Sequence, residues 1–250
     1  MSLGSAGTIV GGTKEYLYRG IQQLPIVLSA TSLLFTITTG SIAHLNLSIG
    51  MVALMPIYTY VMQMTFDFIN SKLGANLFTG PWWTRDKWTM STSDVCRIVP
   101  PEGKPLLKFY SAQSIELNSV PSYWLMSISF FVGYCISNAV DIYTTPAEND
   151  ADPKNKDRRT YQAVFLITSI VLLTCLVLGL RFRYMSGCEG RGLIGLIDSV
   201  LAAIGASVIG YGMYTISRKC GARSSDLFGV LSQVLPVSAT SSNPTVCTSN

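Results

Sequence analysis

The sequence predicts an all-α integral membrane protein with about five transmembrane helices and one irregular extramembrane loop domain. Only 13% of the 250 residues are charged, whereas a soluble domain usually carries about 25%. Five stretches are nearly free of charge, and their lengths are close to the ~20 apolar residues that a helix needs to cross a bilayer. Backbone polar groups in lipid must bond within the protein, so these stretches are predicted to be helical. They are Ile21–Ile42, Leu47–Ile69, Ser122–Tyr143, Tyr161–Leu180 and Leu193–Ser217.

These stretches divide the chain into five parts. A helical hairpin is predicted to turn at Ala43–Asn46, and a variant with four spans would place one stretch of this hairpin in the membrane interface. Pro25 and Pro56 lie within the hairpin and are each expected to kink or locally open a helix, because proline has no N–H to donate. Partners or local hydroxyl groups can satisfy the freed carbonyls.

The five parts of the chain are an N-terminal extramembrane segment (1–20), the hairpin (21–69), a Trp/Pro-rich extramembrane segment (70–121), three further transmembrane helices with short polar loops (122–217) and a polar C-terminal tail (218–250).

The Trp/Pro-rich segment holds three of the four tryptophans, Trp82, Trp83 and Trp88. Its prolines and glycines argue against one long helix, and short pieces such as Leu106–Tyr110 could be strands. Trp124 opens the third span on the same side of the membrane. The simpler interpretation is a belt of tryptophans at the level of the lipid headgroups. The alternative is a docking surface for a partner protein, since tryptophan is a favoured anchor in interfaces.

Small residues recur at helical spacing in the fifth predicted span. Such a ridge lets another helix approach closely and gain van der Waals contact. Packing within the chain is the favoured interpretation, and homo-oligomerisation through the same ridge is the alternative. The ridge comprises Gly195, Ser199, Ala203 and Ser207, with Gly210, Ala202 and Ala206 on an adjacent line.

The chain contains six cysteines and no C-x-x-C pair. Cys135 and Cys175 lie inside spans, where we expect them to be small apolar core residues. Two disulfides are permitted in a five-span topology, although a reducing compartment would leave thiols. The permitted pairs are Cys96 with Cys188 and Cys220 with Cys247.

Groups that could support chemistry are few. The only histidine, His44, lies in the predicted hairpin turn, and no catalytic or metal-binding motif occurs, so we predict no enzyme activity, no metal and no cofactor. The net charge of +4 is spread over several loops, which argues against nucleic-acid binding. Asp198, about two turns into the fifth span, could face a polar cavity, pair with Arg191 or lie at the interface. An ionisable group inside a span is by default a pointer to function.

Four short motifs resemble those of the multi-span membrane proteins of large icosahedral nucleocytoplasmic DNA viruses. They are Phe78–Trp83, Ser93–Arg97, Gly187–Glu189 and Gly210–Tyr214. This resemblance implies a non-enzymatic role in the internal lipid membrane of a virion, where the protein would contact capsid proteins and help to set membrane curvature. It also implies that the Trp-rich segment faces the shell.

Two other functions stay open from the sequence. The first is an accessory subunit of a respiratory or photosynthetic complex in an organellar inner membrane. The second is a small channel or transporter centred on Asp198.

Overall fold

The computed structural model describes residues 4–69, 121–144, 153–184, 193–222 and 227. Within these residues all regular secondary structure is helical, as predicted, and the possible strand at Leu106–Tyr110 lies outside them. The elements are α1 (Gly4–Thr39), α2 (Ile42–Ile49), a π-helical turn (Gly50–Leu54), α3 (Met55–Ile69), α4 (Tyr123–Thr144), α5 (Pro153–Tyr184) and α6 (Leu193–Lys219).

Five helical stretches of the described chain are long and apolar enough to cross a membrane, which agrees with the predicted number. The bounds of these stretches differ from the predicted bounds by only a few residues. We refer to them as spans one to five: Gly20–Thr39, Ile42–Phe66, Tyr123–Thr144, Thr160–Phe182 and Ile197–Lys219.

Contacts between α1 and α2 show that the first two spans run antiparallel. The Ser32 hydroxyl donates to the His44 carbonyl (2.7 Å), and the Ser48 hydroxyl donates to the Ser29 carbonyl (3.3 Å). Later residues of α1 therefore lie beside earlier residues of α2. These hydroxyl groups are buried between the two helices, where a backbone carbonyl provides the partner that water cannot.

The helices α4 and α6 run parallel, as the third and fifth spans of an alternating chain must. Near their middles the Ser207 hydroxyl donates to the Ser129 carbonyl (3.0 Å), and near their ends Arg218 pairs with Asp141. The α1–α2 turn and the last residues of α4 and α6 consequently share one end of the bundle, which we call the hairpin end. Residues 70–120 connect α3 to α4 at the other end, the loop end.

The hairpin turn is shorter and earlier than predicted. Gly40 has a positive φ of 67° and ends α1, and Ser41 is extended. Ala43–Asn46, predicted as the turn, instead form the start of α2, and the His44 ring is buried 5.3 Å from that of Phe35. Glycine reaches the left-handed region at little cost, so the chain reverses at Gly40.

The prediction of a local opening near Pro56 is confirmed, because a π-helical turn directly precedes α3. The Met55 N–H bonds to the Gly50 carbonyl, five residues back rather than four. Pro25 lies inside α1, and the helix continues through it.

Helix α4 is the centre of the bundle and packs against α1, the second span, α5 and α6. Its large side chains Phe130 and Tyr134 are fully buried. The closest approach is to α6: a Cβ on Gly133 would overlap the Ser207 backbone, and one on Gly210 would overlap the Phe130 carbonyl. The small residues at these positions therefore set the α4–α6 distance.

The small-residue ridge of the fifth span thus has an internal partner. Ser199, Ala202 and Ala206 are buried and Ala203 is half-buried, while Gly195 lies in the first turn of α6. Homo-oligomerisation through Ser207 and Gly210 would require the α4–α6 contact to open.

One cysteine is placed as predicted and one is not. Cys135 is buried in the core beside α6, whereas Cys175 is exposed on the outward face of α5, so its prediction as a core residue is wrong. The reason is that α5 packs mainly on α4, and only 11% of span four is buried. Most of this helix therefore faces the surroundings of the bundle.

A matched pair of glycine substitutions tests the close approach of α4 and α6. Gly133→Ala should lower the free energy of unfolding by about 1–3 kcal/mol, the usual cost of overpacking. Gly212→Ala, which meets nothing within 4 Å, should be neutral or stabilising by up to roughly 1 kcal/mol, since alanine favours a helix. Reversible unfolding in mixed micelles measures both. Equal effects of the two substitutions would contradict the packing described here.

Candidate functional site

A chain of polar side chains joins three helices at the hairpin end. The Tyr134 hydroxyl, from the middle of α4, donates to the Ala43 carbonyl of α2 (2.8 Å) and lies 2.8 Å from the Ser217 hydroxyl of α6. The Asn46 amide donates to the same Ser217 oxygen (2.9 Å). Ser217 in turn donates to the Met213 carbonyl of its own helix (2.9 Å).

A second group of side chains continues from the core to the surface. The buried Asn138 amide donates to the Tyr214 hydroxyl (3.1 Å), which donates to Asp141 Oδ2 (2.7 Å). Arg218 Nε lies 2.9 Å from the same carboxylate oxygen, and Arg218 Nη1 donates to the Ala222 carbonyl (2.8 Å). The ion pair is partly exposed, at 20% for the carboxylate and 32% for the guanidinium, so it lies at the rim of the bundle.

The two groups touch where the Tyr134 and Tyr214 rings meet edge to face, with centroids 5.4 Å apart. This geometry suits the quadrupoles of two aromatic rings. We call the set the hairpin-end polar cluster. It comprises Asn46, Tyr134, Asn138, Asp141, Tyr214, Ser217 and Arg218.

The cluster gives the buried polar groups of three spans partners within the protein, as a lipid environment requires. Its composition does not resemble a metal centre. Within the described residues, no group of three or more His, Cys, Asp or Glu side chains could hold a metal ion.

Sequence reasoning missed most of this cluster, although the spacing carries a signal. Tyr134, Asn138 and Asp141 recur at intervals of four and three residues, which places them on one face of a helix. Tyr214 and Arg218 share the same spacing. Polar stripes of this kind in two otherwise apolar spans predict that the two helices face each other.

At the loop end, the first turn of α4 caps the carbonyl that Pro25 leaves without a donor. In a regular helix the Ile21 carbonyl would accept from the N–H of residue 25, which proline lacks. The Trp124 indole N–H fills this place and donates to the Ile21 oxygen at 2.7 Å. Trp124 is therefore inside the bundle, with 1% exposure, and its prediction as a member of a headgroup belt is wrong.

Tyr123, the residue before Trp124, caps the carbonyl that Pro56 leaves without a donor. In the π-helical turn Met55 bonds to Gly50, and Pro56 has no N–H, so neither can donate to the Met51 carbonyl. The Tyr123 hydroxyl donates to this carbonyl at 2.8 Å. Gly50 itself lies under the Phe130 ring, where a Cβ would collide. We call Tyr123 and Trp124 the cap pair.

Buried charge also gathers at the loop end. The Arg181 guanidinium lies 4.1 Å above the Trp124 ring and is 1% exposed, a cation–π contact away from water. Asp198 is buried near the start of span five, with 7% exposure. Arg191, with which Asp198 was predicted to pair, lies outside the described residues.

Several predicted site residues also lie outside the described chain. These include the docking candidates Trp82, Trp83 and Trp88, and the cysteines Cys96, Cys188 and Cys247. Cys220 is exposed just after α6 and forms no disulfide within the described residues. The docking surface and the disulfides stay predictions.

The described residues thus belong to a helical chain with five helices of membrane-spanning length, alternating in direction around a buried central helix. In comparisons with protein-family models, curated proteins and solved structures, nothing matches this chain.

Replacement of Ser217 tests the polar cluster. Ser217→Ala should lower the free energy of unfolding by roughly 1–3 kcal/mol, because the half-buried Asn46 amide and the buried Tyr134 hydroxyl lose a partner. Thr215→Ala is the matched control, since the Thr215 hydroxyl bonds only carbonyls of its own helix. Unfolding of both variants in mixed micelles gives the comparison, and a Ser217 effect no larger than that of Thr215 would exclude a stabilising role for the cluster.

Proposed function

We propose that this chain is an integral membrane protein with a structural role, anchoring the capsid shell of a large icosahedral DNA virus to the internal lipid membrane of the particle. The observation that carries this proposal is the closed centre of the bundle. Helix α4 is enclosed by its neighbours, and α4 and α6 approach until a single added methyl group would overlap backbone at Gly133 or Gly210. A rigid, filled bundle suits an anchor better than a conduit.

The outward faces support insertion in a bilayer. Large apolar side chains are exposed on every outer helix, and a continuous apolar surface of this kind needs lipid or protein to cover it. Examples are Leu34, Ile37, Ile57, Phe165, Leu172 and Val208. The polar side chains Asn46, Tyr134, Asn138 and Ser217, by contrast, bond to groups on neighbouring helices.

Segment 70–121 is the proposed contact with the shell. Both of its ends join the bundle at the loop end, where the Gln63 side chain of α3 donates to the Pro121 carbonyl (2.7 Å). This bond fixes the point where the segment meets α4. Trp82, Trp83 and Trp88 are the proposed anchors, because buried tryptophans carry much of the binding energy in interfaces.

The resemblance in short motifs supports the virion as the location, and among those motifs Gly210–Tyr214 lies in the described chain. Its first residue lies where an added Cβ would overlap the Phe130 carbonyl of α4, and its last belongs to the hairpin-end polar cluster. This part of the resemblance therefore coincides with residues that hold the bundle together.

The contact face can be tested by replacing two tryptophans together. Trp82→Ala with Trp83→Ala should release the partner protein while the chain stays in the membrane fraction, because hydrophobic anchors are lost outside the bundle. Phe165→Ala is the matched control, since this ring is 71% exposed on span four. Gradient fractionation with mass spectrometry reads out the proteins that travel with each variant.

Each outcome of that fractionation has a definite meaning. Co-migration of the unmodified chain with a major capsid protein in lipid-containing particles supports the proposal. Co-migration with redox subunits makes the chain an accessory subunit of an organellar complex instead. Retention of the capsid protein by the double variant would reject segment 70–121 as the contact face.

A channel or transporter centred on Asp198 is the second candidate, favoured by the burial of this carboxylate within a span. It requires that Asp198→Asn abolish proton or cation flux in reconstituted liposomes. Asp141→Asn is the control, because this second carboxylate lies at the rim, paired with Arg218. Absence of flux with the unmodified protein, or flux unchanged by Asp198→Asn, removes this candidate.

A further inference from the structure

The cap pair connects the end of the proposed contact segment to the two proline sites of the first hairpin. Trp124 completes span one at the proline-freed Ile21 carbonyl, and Tyr123 completes span two at the Met51 carbonyl. Both caps come from the first turn of α4, within three residues of Pro121, where segment 70–121 ends. A displacement of this single turn would remove both hydrogen bonds together.

The first turn of α4 is itself held from both sides. Pro121, fully buried, accepts a hydrogen bond from the Gln63 amide of α3 (2.7 Å). The Ser122 hydroxyl accepts from the Leu125 N–H (3.2 Å) in the manner of a helix N-cap. The position of Pro121 therefore determines whether Tyr123 and Trp124 reach their carbonyls.

We infer that the cap pair is a latch that couples Pro121, the last residue of the proposed contact segment, to the shape of spans one and two. With the latch closed, donors from α4 occupy the Ile21 and Met51 carbonyls. When docking displaces Pro121, the uncapped carbonyls leave span two free to bend at Gly50–Leu54 and span one free to bend at Pro25. Sharp bends in helices arise at prolines and π-helical turns. This inference rests on the proposed function, which makes the segment the site of docking.

The latch can be tested without any partner, by electron–electron distance measurements on the full chain in lipid nanodiscs. Nitroxide labels replace Leu45 and Val61, two exposed residues on either side of the π-helical turn, about 24 Å apart along the helix. The five cysteines other than buried Cys135 are replaced by serine.

Tyr123→Phe removes only the hydroxyl and should add a population with a shorter distance. Tyr143→Phe, an exposed tyrosine of the same helix, should leave a single distance.

Two further variants separate a latch from simple loss of stability. Pro56→Ala restores a backbone N–H beside the Met51 carbonyl, so Pro56→Ala combined with Tyr123→Phe should return the single distance of the unmodified chain. Gln63→Leu releases Pro121 without touching the cap pair and should also add the shorter distance. These results support the latch.

The opposite results overturn it. A single unchanged distance in Tyr123→Phe, or a bent population that Pro56→Ala fails to suppress, would mean that the Tyr123 hydroxyl does not control span two. A single distance in Gln63→Leu would mean that the segment is not coupled to the hairpin. Since no partner is present, these outcomes are independent of the co-migration experiment, and the failure of docking and the failure of the latch can be told apart.

Discussion

The structure depends on a conflict between proline and the low polarity of a membrane interior. Each proline in a spanning helix leaves a carbonyl without its usual donor, and no water is present in a bilayer core to replace it. Spans one and two each contain a proline, and adjacent residues of a third helix supply both missing donors: the Trp124 indole to Ile21 and the Tyr123 hydroxyl to Met51. The first hairpin is therefore incomplete until α4 packs against it.

The same requirement organises the rest of the bundle. Hydroxyl and amide groups on α2, α4 and α6 bond to one another at the hairpin end, and the only charges of this network, Asp141 and Arg218, lie at its rim. Between the two ends, Gly133 and Gly210 let the backbones of α4 and α6 touch, beside the hydrogen bond from Ser207 to the Ser129 carbonyl. Polar bonding at the hairpin end and steric fit in the middle thus hold the same pair of helices.

The number and approximate bounds of the membrane-length stretches could be predicted from the sequence because length and charge decide them locally. The continuation of α1 back to Gly4 and of α5 back to Pro153 could not be predicted in this way. The hairpin turn was misplaced because apolar periodicity continues through Ala43, whereas the reversal depends on the positive φ of Gly40. The burial of Trp124 could not be predicted by composition, since an indole prefers an interface unless a particular carbonyl elsewhere lacks a donor. That carbonyl is identifiable in the sequence from Pro25, but its partner becomes known only once α1 and α4 are adjacent. The positions of Tyr134 and Asn138 carry a helical spacing that is visible in the sequence, but their partners on α6 are defined only by the fold.

The order of the helices along the chain has a consequence for biogenesis. Asn138, in the second half of α4, is bonded to Tyr214, and Tyr134 is bonded to Ser217; both partners belong to the fifth span, which is synthesised after the third. At translation rates of about 5–20 residues per second, α4 leaves the ribosome several seconds before α6. During that interval span four follows as an almost purely apolar helix that lipid alone can accommodate. The bonds from Tyr134 and Asn138 to α6 can therefore form only after the fifth span has been made, so the contact between the third and fifth spans is completed late because of the chain's own topology.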